Sequence, residues 1–316
     1  MVDGTSGELL VVISNYLLPF FLYLFIFILL TDLLLLINLI FKIVPHNKIN
    51  GRSFRGRIFI LIICLSAAVV IAGIINFNTI RISEYRIEIP GKSSEIYNLK
   101  IAFVSDFHLE ERTPASFVER FVKEIETIKP DLMLFGGDIV EGDSGGEKMR
   151  IFESLISSIK SKYGVYGVLG NHDHYAGQDK GSFFRNAGIH ILNDTVLKFG
   201  NSFMLAGRQD SHVRTRKNID EFLSSIPDSL PLIILDHRPT EIKEVSRTRA
   251  DIQLSGHTHN GQLFPINLIT KKVYELSYGY RKIGNTHFFV SSGIRLWGPP
   301  VRTIGKSEII VIYVTA

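Results

Sequence analysis

Two long uncharged stretches constrain this chain more than anything else in it. From Leu9 to Phe41 the residues are almost all apolar, interrupted by Asn15, Pro19, Thr31, Asp32 and Asn38, and from Ile58 to Phe77 none is charged. A bilayer span needs roughly 20 such residues, so both runs are long enough to cross as helices. A cleaved leader accounts poorly for the first run. Its apolar part is too long, and Asp3 and Glu8 precede it with no Lys or Arg. We therefore expect residues 1–78 to form a membrane anchor with two spans, about 9–41 and 58–77, and residues 79–316 to form a separate domain. Lys42, Lys48, Arg52, Arg55 and Arg57 lie between the runs. The positive-inside rule puts that loop in the cytoplasm and both termini, with the domain, on the outer face of the cytoplasmic membrane. Asp32 is costly within a span unless it lies near an interface or pairs with another polar group.

The net charge of +4 is mild and comes partly from the loop between the runs. No Arg-rich arm and no alternation of basic and aromatic residues argues for nucleic acid. The single cysteine, Cys64, lies in the second run, so the domain has neither disulfides nor thiolate metal ligands.

From about Thr79 the pattern becomes that of an α/β domain. Arg81 to Ile89 alternates as a strand and Pro90-Gly91 closes it as a turn. Leu99 to Ser105 is the next strand and delivers Asp106-Phe107-His108, where an extended chain would send Asp106 and His108 to one side. Thr113-Pro114 is expected to cap a helix with Phe117, Phe121, Ile125 and Ile128 on one face, stopped by Lys129-Pro130. Asp131 to Phe135 ends in Gly136-Gly137-Asp138, and a helix from about Glu147 to Lys162 follows. Val165 to Leu169 ends in Gly170-Asn171-His172-Asp173. After a short helix near Ser182 to Asn186, strands are expected around Ile189 to Leu197 and Phe203 to Ala206. Leu232 to Leu235 ends in Asp236-His237, and Ile252 to Leu254 ends in Ser255-Gly256-His257-Thr258-His259.

Five strands thus each hand over Asp, Asn or His at the carboxyl end, where open α/β sheets bind ligands. The tetrapeptide Gly170 to Asp173 alone is weak, because Gly-Asn is a common turn pair and a loop histidine is usually solvated. In it, Gly170 would let the backbone turn off the strand, Asn171 offers a neutral oxygen, His172 a proton acceptor or donor, and Asp173 a carboxylate to orient the imidazole or raise its basicity. The full inventory is Asp106, His108, Asp138, Asn171, His172, His237, His257 and His259, which is seven ligands and a spare histidine. That number suits two metal ions better than one, with a carboxylate bridging them, and Asp138 is best placed to bridge. Oxygen and imidazole donors without thiolate suit two divalent ions of Mn, Fe or Zn better than Ca or Mg.

These motifs, in this order, resemble those of the calcineurin-like metallophosphoesterase family over about Thr79 to Ala316. Gly261-Gln262, Ser292 to Arg295 and Pro299 to Arg302 further resemble its bacterial membrane-anchored or exported phosphodiesterase branch. The resemblance implies two packed mixed β-sheets flanked by helices. It implies that Asp106, His108 and His259 hold one ion, that Asn171, His237 and His257 hold the other, and that Asp138 bridges. His172 would contact phosphate or protonate the leaving group. Asn260 stands where the family has glycine, but Asn tolerates positive φ.

The blander expectations are these. His174 is a solvated loop residue, and His190, His212 and His287 are surface or core residues. Arg302 grips a phosphate or pairs at the surface, and Trp297 lines a cleft or fills the core. Asp143 and Asp210 belong to polar loops without a matched motif. The leading expectation is a membrane-anchored hydrolase of a phosphodiester or pyrophosphate in a phospholipid or cell-envelope substrate. The alternatives are a pyrophosphate hydrolase acting on a UDP-diacylglucosamine-type lipid, which conflicts with the outward topology, a nuclease, which the anchor and the lack of a basic stripe disfavour, and a catalytically silent scaffold of the same fold.

Overall fold

The computed structural model describes residues 5–90, 92, 98–142, 144–175, 180–224 and 226–315. Gly91 of the expected turn and Asp143 lie outside the described residues. The chain divides into two compact units, Met1–Phe77 with Gly298–Thr303, and Asn78–Trp297 with Ile304–Ala316.

In the first unit the two apolar runs are helices, Thr5–Phe41 and Arg52–Asn78, with a short helix His46–Ile49 between them. Each extends several residues before its apolar run, since polar residues are tolerated in a first turn whose N–H groups face water. Over Ile13–Phe41 and Arg52–Asn78 they are long and apolar enough to cross a membrane. Large apolar side chains such as Leu18, Phe25, Leu34, Phe59 and Ile75 are exposed along them, far more apolar surface than water tolerates. Asp32 is exposed on the first helix. The segment Gly298–Thr303 packs on the second helix at Gly73, where a Cβ would lie 2.6 Å from Val301 Cγ1 and 3.0 Å from Thr303 Cγ2. Arg302 N donates to the Gly73 carbonyl at 3.0 Å, and Asn76 Nδ2 donates to the Arg302 carbonyl at 2.9 Å. The hydroxyls of Tyr23 and Thr303 also hydrogen-bond. The Arg302 side chain is buried, which rules out the surface pairing considered for it.

The second unit holds twelve strands: β1 Ile80–Glu88, β2 Leu99–Val104, β3 Leu132–Phe135, β4 Val165–Gly167, β5 His190–Ile191, β6 Thr195–Phe199, β7 Phe203–Gly207, β8 Leu232–Leu235, β9 Ile252–Ser255, β10 Gly279–Ile283, β11 Thr286–Val290 and β12 Ser307–Thr315. They form two mixed six-stranded sheets, ordered β1-β12-β2-β3-β4-β5 and β10-β11-β9-β8-β7-β6. β2 to β5 run parallel, as do β7, β8, β9 and β11, while β12 runs antiparallel to β2 and β6 to β7.

Side-chain alternation sorts each central strand between two cores. Ile101, Phe103, Leu132 and Leu134 face inward and meet Leu205, Ile233, Leu235, Leu254 and Phe289 of the other sheet. Ala102, Val104, Met133 and Phe135 face outward under Phe117, Phe121 and Ile125 of the helix Ala115–Ile128 and Phe152 and Ile156 of the helix Glu147–Ser157. On the far side, Leu232 and Ile234 pack with Phe222, Leu223 and Val245. The layers are therefore helix, sheet, sheet, helix, as the resemblance implied.

Two details depart from expectation. Thr113 does not cap the helix Ala115–Ile128; its hydroxyl accepts from Glu110 N at 3.2 Å instead, and Pro114 is the N-terminal flank. The next helix stops at Ser157 rather than Lys162 because the Ser157 and Ser158 hydroxyls bond the carbonyls of Ser154 and Leu155, competing with the helical ladder.

Behind β7 and β8 lies a buried ionic cluster. Arg208, fully buried, donates to Asp236 Oδ2 at 3.0 Å and to Glu241 Oε2 at 2.6 Å, and Arg216 grips both oxygens of Asp236 at 2.7 and 2.9 Å. Removing one partner of such a cluster strands a charge in the interior. Asp236→Ala is expected to destabilise the domain by about 3–5 kcal/mol, read as a fall of roughly 6–20 °C in the melting midpoint. A shift under 2 °C in a thermal melt of the detergent-solubilised chain, roughly the size of an exposed pair's contribution, would refute it.

Candidate metal centre

Every motif residue arrives on a loop directly after a strand. β2 leads to Asp106 and His108, β3 to Asp138, β8 to His237, and β9 to His257 and His259. β4 leads to Asn171, which opens a one-turn helix, Asn171–Tyr175. The loops are tightly bent. Asp106, His108, Asp138, His257 and His259 all have positive φ, from 43° to 69°, a conformation that is strained for a residue bearing a Cβ. The extended geometry expected to align Asp106 with His108 is thus absent. What aligns them is a ladder across the neighbouring loop, with Asp106 N on the Gly137 carbonyl and His108 N on that of Asp138, each at 2.9 Å. Asn260, the departure from glycine, also takes a left-handed conformation (φ 51°).

Glycine at these loops serves space. Gly170 is not at positive φ, so it is not a turn residue in the sense expected. A Cβ on it would lie 2.2 Å from Asp138 Oδ1, and one on Gly256 would lie 2.3 Å from Asp106 Oδ2. Each glycine lets a carboxylate approach the backbone of the next loop.

The donor atoms converge. Asp106, His108 and His259 place one ligand atom each within 4.8 Å of one another, and so do Asp138, His237 and His257. A third such group, His108, Asp138 and His172, overlaps the first at His108 and the second at Asp138. Asn171 is buried and its Oδ1 has no hydrogen-bond partner among the described residues, while His237 Nε2 faces Asp138 Oδ2 at 3.2 Å. A buried polar atom is rarely left without a partner, and an unpartnered oxygen on the loop beside converging carboxylates and imidazoles fits a divalent cation. His237 Nδ1 donates to the Gly136 carbonyl at 2.8 Å, which leaves Nε2, beside Asp138, as the ligand nitrogen, the arrangement usual for a metal-binding histidine.

The electrostatics agree with cation binding. Burial pushes Asp138 up, but His237, His108 and His172 outweigh it and hold its carboxyl well below the usual range. Burial dominates at Asp106 and raises it. For His237 burial acts downward, yet Asp138 and Asp106 lift it to about 10. The negative charge that retains that proton is the charge a metal ion would occupy in its stead. His257 is lowered to about 3 by burial and by the cations His237 and Arg238, so it stays a neutral donor.

His172 stands apart from the ligand pairs in its bonding. Its Nδ1 lies 2.8 Å from Glu141 Oε2, and the same carboxylate oxygen lies 2.8 Å from His108 Nδ1. Burial pushes Glu141 up, but these two hydrogen bonds prevail and hold it at about 2. The imidazole of His172 is in turn raised, since Glu141, Asp138 and Asp173 outweigh its partial burial. Asp173 was expected to orient this ring or to raise its basicity, and its charge does raise it. Its Oδ1 accepts from the backbone N–H of Ile139 and Val140 and its Oδ2 from Gly170 N, at 2.9 to 3.0 Å. It thereby ties the Asp138 loop to the Gly170 loop.

Other residues fall as follows. Trp297 is exposed, with its ring 6.1 Å from that of His172, so it lines the crevice and does not fill the core. His174 is exposed, His190 is at the surface, and His287 is buried against Tyr280. Asp210, set aside in the sequence, is fully buried and bonded to His212 and Arg238, and its charge reaches His237. It follows the carboxyl end of β7 just as the recognised residues follow theirs, which was the available signal. Glu141 lies three residues after Asp138 in the same loop, and nothing but proximity to that motif marked it.

Two mixed sheets with Asp, Asn and His converging at strand ends are the arrangement that the resemblance to the metallophosphoesterases implied. The profile of the calcineurin-like phosphoesterases matches residues 99–261, more than half of the chain, and the chain belongs to that family. It is 35% identical over 218 residues to an uncharacterized metallophosphoesterase of Helicobacter pylori, a match covering 67% of this chain and 58% of that protein. It is 28% identical over 241 residues to one of Aquifex aeolicus, covering 74% and 91%. It is 27% identical over 282 residues to a transmembrane protein with metallophosphoesterase domain of Danio rerio, covering 84% and 64%. The chain thus spans under two thirds of the length of the Helicobacter and Danio relatives.

Proposed function

We propose that this chain is a membrane-anchored phosphoesterase with two divalent ions, acting on a phosphodiester or pyrophosphate in a lipid or cell-envelope substrate. Residues 1–78 are the anchor in this reading, and residues 79–316 carry the chemistry. The observation that supports it most is the convergence of Asp106, His108 and His259 in one group and of Asp138, His237 and His257 in another, with the buried oxygen of Asn171 left without a partner among the described residues. Bound there, the ions supply positive charge against the phosphate and lower the pKa of an attacking water. The protein's own residues do the rest. Asp138 holds the two halves together, Glu141 fixes the rings of His108 and His172, and His172 in its protonated form stands ready to donate to the departing oxygen. Trp297 shields one side of His172 from water. The test is hydrolysis by the purified chain of aryl and alkyl phosphodiesters, pyrophosphate-linked lipids and phosphomonoesters, stripped with chelator and reloaded with Mn, Fe or Zn. Hydrolysis of diesters that disappears with the chelator and returns with one of these metals supports the reading. Equal activity on monoesters alone would refute the diester assignment.

The same reading puts the domain outside the cytoplasm. Five Lys and Arg residues lie between the two apolar runs, 9–41 and 58–77, and none before the first, a bias that sets orientation when it lies close to the ends of the spans. A phosphatase reporter that needs export, fused after Ala316, is expected to be active, and a fluorescent reporter that matures only in the cytoplasm is expected to be dark. The reverse pattern would overturn the topology and bring nucleotide-linked lipids forward as substrates.

A further inference from the structure

The segment that follows His259 carries a surface that the hydrolytic site does not use. Ile266, Leu268, Ile269 and Val273 are all exposed, from 39% to 68%, on and beside the helix Asn267–Val273. Lys271 and Lys272, also exposed, stand in the same turn. Four large aliphatic side chains open to water within eight residues are a liability for a domain unless something covers them.

We infer that this helix rests on the surface of an anionic lipid bilayer, with its aliphatic side chains in the interface and its two lysines at the headgroups. Three observations favour lipid over a protein partner. The patch is mostly aliphatic, with Phe264 exposed beside it, and it is flanked by lysine, whereas protein interfaces are depleted of lysine and phenylalanine with leucine is usual on the apolar face of a membrane-surface helix. Basic residues beside an apolar face complement negatively charged headgroups, the composition of helices that lie in a membrane interface. The chain also supplies the membrane, because β1 begins at Ile80, two residues after the candidate span Arg52–Asn78 ends.

The helix is also joined to the site at both ends. A Cβ on Gly261, two residues after His259, would lie 2.4 Å from Asn267 N, so the helix starts hard against the loop that carries that ligand. Beyond its other end, the Tyr274 ring stands 6.2 Å from that of His257. A phosphate at the headgroup level would then meet His257 and His259 without leaving the bilayer surface. The inference rests on the membrane anchoring proposed above and does not require that the substrate be a lipid.

The experiment uses the full chain carrying Cys64→Ser with either Ile269→Cys or Ser154→Cys, the latter exposed on the helix Glu147–Ser157. Each variant is labelled with an environment-sensitive fluorophore and reconstituted into phosphatidylcholine vesicles with or without phosphatidylglycerol and brominated acyl chains. The label at position 269 is expected to emit further to the blue than the label at 154 and to be quenched by the brominated chains, more so with phosphatidylglycerol. Lys271→Glu with Lys272→Glu should remove that extra quenching. Emission at 269 that matches 154, with no quenching, would overturn the inference and leave the patch to a protein partner. Extraction of the same vesicles with alkaline carbonate tests the anchor separately. Protein that stays in the bilayer while position 269 remains wet sinks the inference alone, and protein that washes off while position 269 is quenched sinks the anchor alone.

Discussion

Asp138→Asn is expected to abolish hydrolysis and to strip the metal centre at once. Among the described residues, Asp138 is the one that belongs both to a group with His108 and to a group with His237 and His257. Its carboxyl is held far below the usual range by the surrounding histidines, so it carries a full negative charge at any working pH. Two cations roughly 3.5–4 Å apart repel strongly, and a bridging carboxylate is what makes that spacing tolerable. A neutral amide removes that charge. Metal content is expected to fall from about two ions per chain to one or none, and activity to fall by more than the roughly 10- to 100-fold typical when only an outer partner of a ligand is lost. Asp138 Oδ1 also accepts from His172 N at 2.8 Å, so the amide must turn its oxygen that way, and circular dichroism should confirm that the fold survives. Elemental analysis that returns both metals in a folded variant of near-normal turnover would falsify the assignment.

His172→Ala is expected to behave differently, with metal content unchanged and kcat lowered by about 10²- to 10⁴-fold, the usual contribution of a positioned acid. The warrant is the bonding of its ring, which is spent on Glu141 and faces Trp297. Loss of metal from this variant would make His172 a ligand, since it also falls in a group with His108 and Asp138. If its role is protonation, an aryl diester with a good leaving group should suffer much less than an alkyl one. Equal losses would indicate charge stabilisation of the phosphate instead. Glu141→Gln should give a smaller fall in kcat with the same dependence on the leaving group, because the ring remains but its orientation and raised basicity are lost.

How much of this could be read without the structure follows from the range of the interactions involved. The two apolar helices, the short apolar runs that build β2, β3 and β8, and the Asp, Asn and His at strand ends are local properties, each carried by a few consecutive residues. The strand Leu232–Leu235 was legible to the residue. β10, β11 and β12 were not, because their motifs carry no chemistry and the pairing of β12 between β1 and β2 closes over more than two hundred residues. The assembly of the centre lay within reach because each ligand is announced by its own strand.

What only the tertiary structure decided is which groups support those ligands. Asp173 looked like the partner of His172 because the two are adjacent, yet its Oδ1 is taken by backbone N–H groups of the Asp138 loop, more than thirty residues away, and its Oδ2 by Gly170 N. Glu141 takes that place because the same loop brings it between two rings. Asp210 read as a polar loop residue and proved to be buried, since the pairing of β7 with β8 sets its charge against Arg238. The patch after His259 was invisible for the opposite reason. Ile266 to Val273 carries no motif, and only the packed domain shows Ile266, Leu268, Ile269 and Val273 on the outside. Identity and spacing in a sequence specify what a residue can do, while burial and the partner across a loop, both long-range, decide what it does.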